Sequence, residues 1–284
     1  MVNAGVLFGI LGMIAWGVCD FLATKAIRKI GDFRAFFWVQ LASLIPFVIL
    51  VFLEPIFLPS FRSLIFLLIA TLLTIVAYMC YYKGLHVGLV SIIAPIVACY
   101  SVITVVFSVI LFKEVLTLLQ VVAISLAVLG TIMVSFKYSD WKNLRFRKLA
   151  KGLNFALVAV IFWGIYFLFF NPLGAELGWF LPVFYIKIIT IIYLGMYVVA
   201  ARKKLAYKEN VRAYLVSAGV LESVGFLAFS IGVYKFMTAV VTPITAASPA
   251  VSVVLAKVFF KEKLEWNQDL GLVLILAGLV ALAM

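Results

Sequence analysis

The chain has 284 residues, 67% of them apolar and 12% charged, with a formal net charge of +12 and a single histidine. A soluble globular chain carries about 45–50% apolar and about 25% charged residues, so this excess exceeds what a soluble core hides and calls for a bilayer. The basic residues fall in short clusters between apolar runs, not in a stripe with interleaved aromatics, which fits anchoring at a membrane face and excludes a nucleic-acid partner.

A membrane span needs about 20 mostly apolar residues. In chain order, ten such runs lie at 4–27, 33–53, 63–84, 89–112, 115–136, 152–171, 178–201, 213–235, 238–260 and 266–284. The expected fold class is therefore an all-α membrane protein with ten transmembrane helices. The first run is too long for a signal peptide and no basic stretch precedes it, so it reads as a retained span. Connections are short. The longest, the basic segment 137–151, separates the halves 1–136 and 152–284.

Those halves repeat each other. A shift of 148 places Gly84 on Gly232, Pro95 on Pro243, Ile96 on Ile244, Phe112-Lys113-Glu114 on Phe260-Lys261-Glu262, Gln120 on Gln268 and Gly130 on Gly278. A shift of 147 places Trp16-Gly17 on Trp163-Gly164. Five spans per copy is an odd number, so the second copy must be inverted in the membrane. Loop charge agrees. Odd-numbered connections hold Lys25, Arg28, Lys29, Arg34, Lys83, Lys137, Lys142, Arg145, Arg147, Lys148, Lys151, Arg202, Lys203, Lys204, Lys208, Arg212, Lys257, Lys261 and Lys263, leaving Arg62, Lys113, Lys235 and the mid-span Lys187. Positive charge marks the cytoplasmic face, so both termini are expected outside a cell membrane. The uncharged counterpart of the first loop, Asn171 to Ala175 before Glu176, is what an inverted duplication predicts.

Ionisable groups inside a bilayer cost at least about 2.5–3.5 kcal/mol at its centre and call for a reason. Asp20, Lys187 and Glu222 lie within spans. One reading makes them a binding or proton-coupling site, with Glu222 or Asp20 as the coupling carboxylate. The other pairs Lys187 with Glu222 structurally and lets Asp20 reach towards Lys25 and Arg28. Helical spacing aligns Trp16 and Asp20 with Gly9, Met13 and Thr24, aligns Tyr78 with Thr71, Thr74 and Tyr81 or Tyr82, and aligns Glu222 with Phe226 and Phe229. Mixed aromatic and polar faces suit a cavity for an amphipathic solute, although any one ring could equally fill interhelical space. The candidate substrate-binding set is Trp16, Asp20, Tyr78, Tyr82, Trp163, Lys187, Glu222 and Phe226.

Stripes of small residues in the fourth and ninth runs (Ala98, Ser101, Ser108; Thr242, Thr245, Ser248, Ser252) favour close helix packing. Pro95 and Pro243 each remove a backbone hydrogen bond and are the expected hinge or kink positions. Cys19, Cys80 and Cys99 are odd in number and scattered, which argues against a disulfide framework or a metal site. No nucleotide-binding motif, histidine cluster or paired nucleophile and base points to a cofactor or an enzyme.

The segment from Ala247 to the C-terminus, with Phe-Phe-Lys-Glu-Lys-Leu, Gln268, Gly271 and Gly278, resembles the EamA-type repeat of the drug/metabolite transporter superfamily, as does Ala98 to Gly130. The resemblance implies an inverted-repeat secondary transporter whose central cavity is walled by spans 1, 3, 4, 6, 8 and 9. It implies a small-molecule substrate, export over uptake, and a monomer or homodimer in lipid. An amino acid or derivative is the first expectation, with phosphorylated sugars, nucleotide sugars or lipid-linked anions as the alternative and a non-transport structural or sensory role behind both. Bacterial relatives with ten spans keep both termini in the cytoplasm, against the charge bias here; the charges are the stronger guide.

Overall fold

The computed structural model describes residues 4–87, 93, 96–139, 152–207, 210–260 and 263–283. All regular structure among them is helical: α1 (Ala4–Ile30), α2 (Asp32–Ala42), α3 (Ile45–Leu50), α4 (Phe61–Val87), α5 (Tyr100–Phe112), α6 (Leu118–Val134), α7 (Leu153–Tyr166), α8 (Phe170–Leu177), α9 (Leu181–Ala200), α10 (Arg212–Lys235), α11 (Thr238–Ala246), α12 (Ser248–Phe260) and α13 (Trp266–Ala283). Seven helical segments are long and apolar enough to cross a membrane. Three more, Ile96–Phe112, Leu118–Val134 and Trp266–Leu282, are apolar but shorter. At 1.5 Å per residue, 17 residues rise about 25 Å, a little less than a 30 Å hydrocarbon core.

Local chemistry sets the element ends. Gly31, at φ +87°, turns the chain between α1 and α2 in a single residue, a conformation that a side chain would resist. Pro46 has no N–H for the Ala42 carbonyl and so separates α2 from α3. Thr117 and Gln120 cap the start of α6 reciprocally. Large apolar side chains such as Ile49, Ile110, Val273 and Leu276 stand exposed on the outer faces, as they do where the surrounding medium is hydrocarbon.

The repeat seen in the sequence reappears as packing. Where α6 crosses α13, a methyl group at Gly130 would lie 2.6 Å from the Gly271 carbonyl oxygen, and one at Gly278 would lie 2.7 Å from that of Ala123. Asn267 Nδ2 donates to the Met133 and Phe136 carbonyls, each at 2.9 Å. Rising numbers in α6 meet falling numbers in α13, so these equivalent helices run antiparallel. The two glycine contacts also exchange under the 148-residue shift, as a two-fold axis requires.

The same exchange governs α1 on α12 and α7 on α5. Gly17 faces Val251 and the Ser248 carbonyl, and Gly164 faces Ile103 and the Tyr100 carbonyl. Ser252 Oγ donates to the Gly17 carbonyl at 2.7 Å, and Thr104 Oγ1 to that of Gly164 at 2.9 Å. Here the small-residue stripes serve close packing.

Two helices break at matched positions. The Cys99 N–H bonds the Ile96 carbonyl at 3.1 Å and the Ala247 N–H bonds that of Ile244 at 3.2 Å, both spanning three residues instead of four. The Val102 and Ala250 N–H groups repeat the pattern one step on. Pro243 lies inside α11 without ending it, so the break expected there falls four residues later, at Ala247. Pro249 removes a further donor beyond it. Since Ser101 occupies the position matching Pro249, that proline is not needed for the break. Pro95 lies outside the described residues.

Candidate functional site

The matched breaks border a cavity with an empty volume of about 660 Å³. Its lining comes from α1 (Trp16, Cys19, Asp20), α4 (Tyr78, Tyr81, Tyr82), α5 and the turn before it (Val97, Ala98, Tyr100), α7 and the 3-10 turn after it (Trp163, Phe167), α10 (Phe226), α11 (Ala246) and α12 (Ser248, Pro249). Much of this lining consists of repeat mates: Trp16 with Trp163, Asp20 with Phe167, Tyr78 with Phe226, Ala98 with Ala246, and Tyr100 with Ser248. Ring contacts between the halves obey the same symmetry. Tyr78 meets Trp163 and Phe226 meets Trp16, both with centroids 4.9 Å apart and edge-on. The cavity therefore lies on the two-fold axis.

Its chemistry departs from that symmetry. The first half contributes a carboxylate, a thiol and four phenols, whereas Phe167 and Phe226 face them from the second. Trp16 Nε1 donates to the Glu222 carbonyl at 3.3 Å. Trp163 Nε1 is buried and, among the described residues, has no hydrogen-bond partner. Ion pairs among the described residues join His86 to Asp32, Lys187 to Glu222 and Lys257 to Asp269, and Asp20 belongs to none of them. The Lys25 ammonium that the sequence offers Asp20 instead lies 4.4 Å from the Phe21 ring centroid and 5.3 Å from that of Tyr214.

Lys187 and Glu222 are not in the cavity lining. Lys187 Nζ lies 2.5 Å from Glu222 Oε2 and donates to Gln40 Oε1 at 3.1 Å, and Gln40 Nε2 donates to Glu222 Oε1 at 2.8 Å. This closed triangle is buried, with Lys187 4% exposed and Glu222 1%. The Phe226 ring, 4.8 Å from Lys187 Nζ, lines both the cavity and a smaller void beside the triangle. Of the eight expected binding residues, Trp16, Asp20, Tyr78, Tyr82, Trp163 and Phe226 come together, and Lys187 and Glu222 take the structural pairing. Gln40 is their third member. Its match with Lys187 under the 147-residue shift was the available signal, since repeat mates can meet at the axis. Cys19 and Tyr100 were missed, and Phe167 enters the lining as the repeat mate of Asp20.

The two ends of the bundle differ. Asp20, Tyr81 and Tyr82 lie towards the helix ends that carry Arg28, Lys29 and Lys83. At the opposite end, the Glu114 carboxylate accepts the Thr238 and Ala239 N–H groups, each at 2.8 Å. Glu176 accepts bonds from the Ser60 N–H and from the hydroxyls of Ser60 and Ser63, and Ser230 Oγ donates to the Trp179 carbonyl. Between these ties and the cavity pack Tyr166, Phe167, Phe170 and Phe229, with ring centroids 4.8–5.4 Å apart in contacting pairs. Among the described residues no group of three or more His, Cys, Asp or Glu side chains is placed to hold a metal.

Comparison with known proteins fits this arrangement. An uncharacterized protein of Methanocaldococcus jannaschii is 26% identical over 127 residues, which make up 45% of this chain and 92% of that protein. One solved crystal structure superimposes with a TM-score of 0.81 at 14% identity, covering 99% of this chain and 98% of the other, a likeness of fold alone. The model of the EamA-like transporter family matches twice, over residues 3–136 and 150–284. Two matches that cover nearly the whole chain place this multi-pass membrane protein in the EamA-like transporter family.

Proposed function

We propose that the chain is a secondary active transporter that carries a small amphipathic solute by alternating access. In this reading it crosses the bilayer ten times as two inverted repeats, 1–136 and 152–284, joined by the basic segment 137–151. The observation that carries it is the cavity on the two-fold axis, bordered by matched helix breaks at Cys99 and Ala247, with one end of the bundle tied shut. Discontinuous helices meeting at a repeat interface are where carriers of this design hold their solute. The other membrane-embedded charges being paired, Asp20 is the proton-coupling carboxylate and Glu222 is not. With positive charge inside and both termini outside a cell membrane, the cavity faces the cytoplasm in this state, as loading for export requires. Among the described residues the lining holds no lysine or arginine, which gives no support to phosphorylated sugars or nucleotide sugars.

The test is counterflow in liposomes under an imposed pH gradient, with amines, amino acids and sugar phosphates as solutes. Uptake above that of empty liposomes, altered in its pH dependence by Asp20→Asn, is expected. No movement of any solute class would sink the transport reading. A reporter fused after Met284 and active only outside the cytoplasm is the expected result for orientation, and cytoplasmic activity would reverse it.

A further inference from the structure

Among the described residues, the cavity lining contains one carboxylate and no cation to answer it. Asp20 joins no ion pair among the described residues, and no lysine or arginine lines the cavity. The membrane-embedded ammonium of Lys187 is held by Glu222 and Gln40 beyond the Phe226 ring. A solute that fills the cavity strips water from the half-buried Asp20 carboxylate, and one that brings a positive charge offsets that cost. Around Asp20 the walls are aromatic: Trp16, Tyr78, Tyr100 and Trp163 offer rings of the kind that attract an ammonium group and cover an apolar body. The lining as a whole, mostly aromatic and apolar with a few polar groups, is of the kind that small-molecule sites use.

From this we infer that the solute is an amphipathic organic monocation, a primary amine or quaternary ammonium on an aromatic or branched apolar body, with its charge at Asp20. The inference rests on the transport reading above and narrows it. A zwitterionic amino acid fits less well, because its carboxylate would enter a site of the same sign. Trp163 Nε1, a buried donor of the lining with no partner among the described residues, suits one neutral acceptor such as a hydroxyl or carbonyl on the ligand. A phosphate ester, with two negative charges, fits worst.

Three compounds of nearly one shape separate these cases: phenethylamine, phenylalanine and phenethyl alcohol. Quenching of tryptophan fluorescence in the purified full-length protein, where Trp16 and Trp163 line the site, gives their affinities. Phenethylamine should bind at least tenfold more tightly than either of the others. Asp20→Asn should bring the amine to within about twofold of the alcohol, and Asp20→Glu should keep most of the tenfold preference. If Asp20→Asn does not fold, the wild-type series and Asp20→Glu still decide. Phenylalanine binding as tightly as the amine overturns the inference, as does an amine preference that survives in Asp20→Asn. If none of the three binds while a sugar phosphate is carried in liposomes, the monocation is wrong and the transporter stands. If the amine binds as expected but nothing is transported, the site assignment stands and the transport reading fails.

Discussion

Removing the charge of Glu222 tests whether the Gln40–Lys187–Glu222 triangle is architecture. Glu222→Gln leaves the Lys187 ammonium, 4% exposed, with amide oxygens in place of a carboxylate 2.5 Å away. Stripping one partner from a buried ion pair costs about 3–5 kcal/mol, because the remaining charge is stranded in a medium that cannot solvate it. Lys187→Met strands the carboxylate and should cost about as much. The double variant has no charge to strand, and the loss of a buried pair against apolar or neutral replacements is often close to zero. Its stability should therefore return to within about 1–2 kcal/mol of the parent, and the coupling in the double-mutant cycle should be several kcal/mol, at or above the usual range for contacting residues. Equilibrium unfolding of the purified protein in mixed micelles, followed by tryptophan fluorescence, measures all four corners. Additive single effects, or single losses below about 1 kcal/mol, would refute the claim that the triangle is a closed buried unit. If the refolded double variant lost the pH dependence of transport, the proton site would have to move from Asp20 to the triangle.

Gly17→Ala sets a methyl group 2.5 Å from Val251 Cβ and 2.6 Å from the Ser248 carbonyl oxygen, so overpacking of about 1–3 kcal/mol is expected. Gly195→Ala meets nothing within 4 Å and should be neutral or stabilising by up to about 1 kcal/mol in the same unfolding assay. Equal losses at both positions would contradict the packing described. Trp16→Phe gives up a hydrogen bond to the Glu222 carbonyl and Trp163→Phe gives up none. The first should be the less stable by about 0.5–1.5 kcal/mol, with the two melts compared side by side. The hydroxyl and backbone N–H of Ser139 hold the Glu265 carboxyl below its ordinary range of about 4.5, the hydroxyl contributing most. A depressed folded-state value adds stability above the unfolded value and loses it as pH falls through the folded one. The contact should thus open below about pH 4.5, read by emission from Trp266 beside Tyr138, and Ser139→Ala should move that midpoint upward.

The fold was legible in the sequence where physics acts over long windows or exact offsets. A bilayer demands long apolar runs, so the helical course is visible without any tertiary information. The offsets of 147 and 148 survive because Gly17, Gly164, Gly130 and Gly278 stand where a Cβ would collide with a neighbouring backbone or branched side chain, which leaves such positions little freedom. Shorter-range geometry was less legible. Pro243 announced an irregular helix, but the three-residue hydrogen bonds fall four residues later, at Ala247, where the helix can release the strain. The partners of Lys187 and Glu222 depended on which helix faces meet across the axis, and periodicity within one helix does not contain that.

The departures from symmetry explain why coupling would be needed. A two-fold repeat can exchange states by letting each half adopt what the other now does. In this state Tyr166, Phe167, Phe170 and Phe229 pack into the closed end. Their repeat mates, Cys19, Asp20, Ala23 and Tyr81, lie on the basic side, three of them in the cavity wall. For the cavity to open at the other end, that set must pack as the aromatic set does now. Cys19, Ala23 and Tyr81 can do so at modest cost, but an ionised Asp20 without a partner cannot, since burial of such a charge costs at least about 2.5–3.5 kcal/mol. A bound proton or a bound ammonium removes that penalty, and an empty, charged site retains it. Under the transport reading proposed above, the asymmetry at Asp20 and Phe167 would convert a symmetric rocking motion into one that proceeds only when the site is neutralised, the condition for exchanging a proton against a cationic solute.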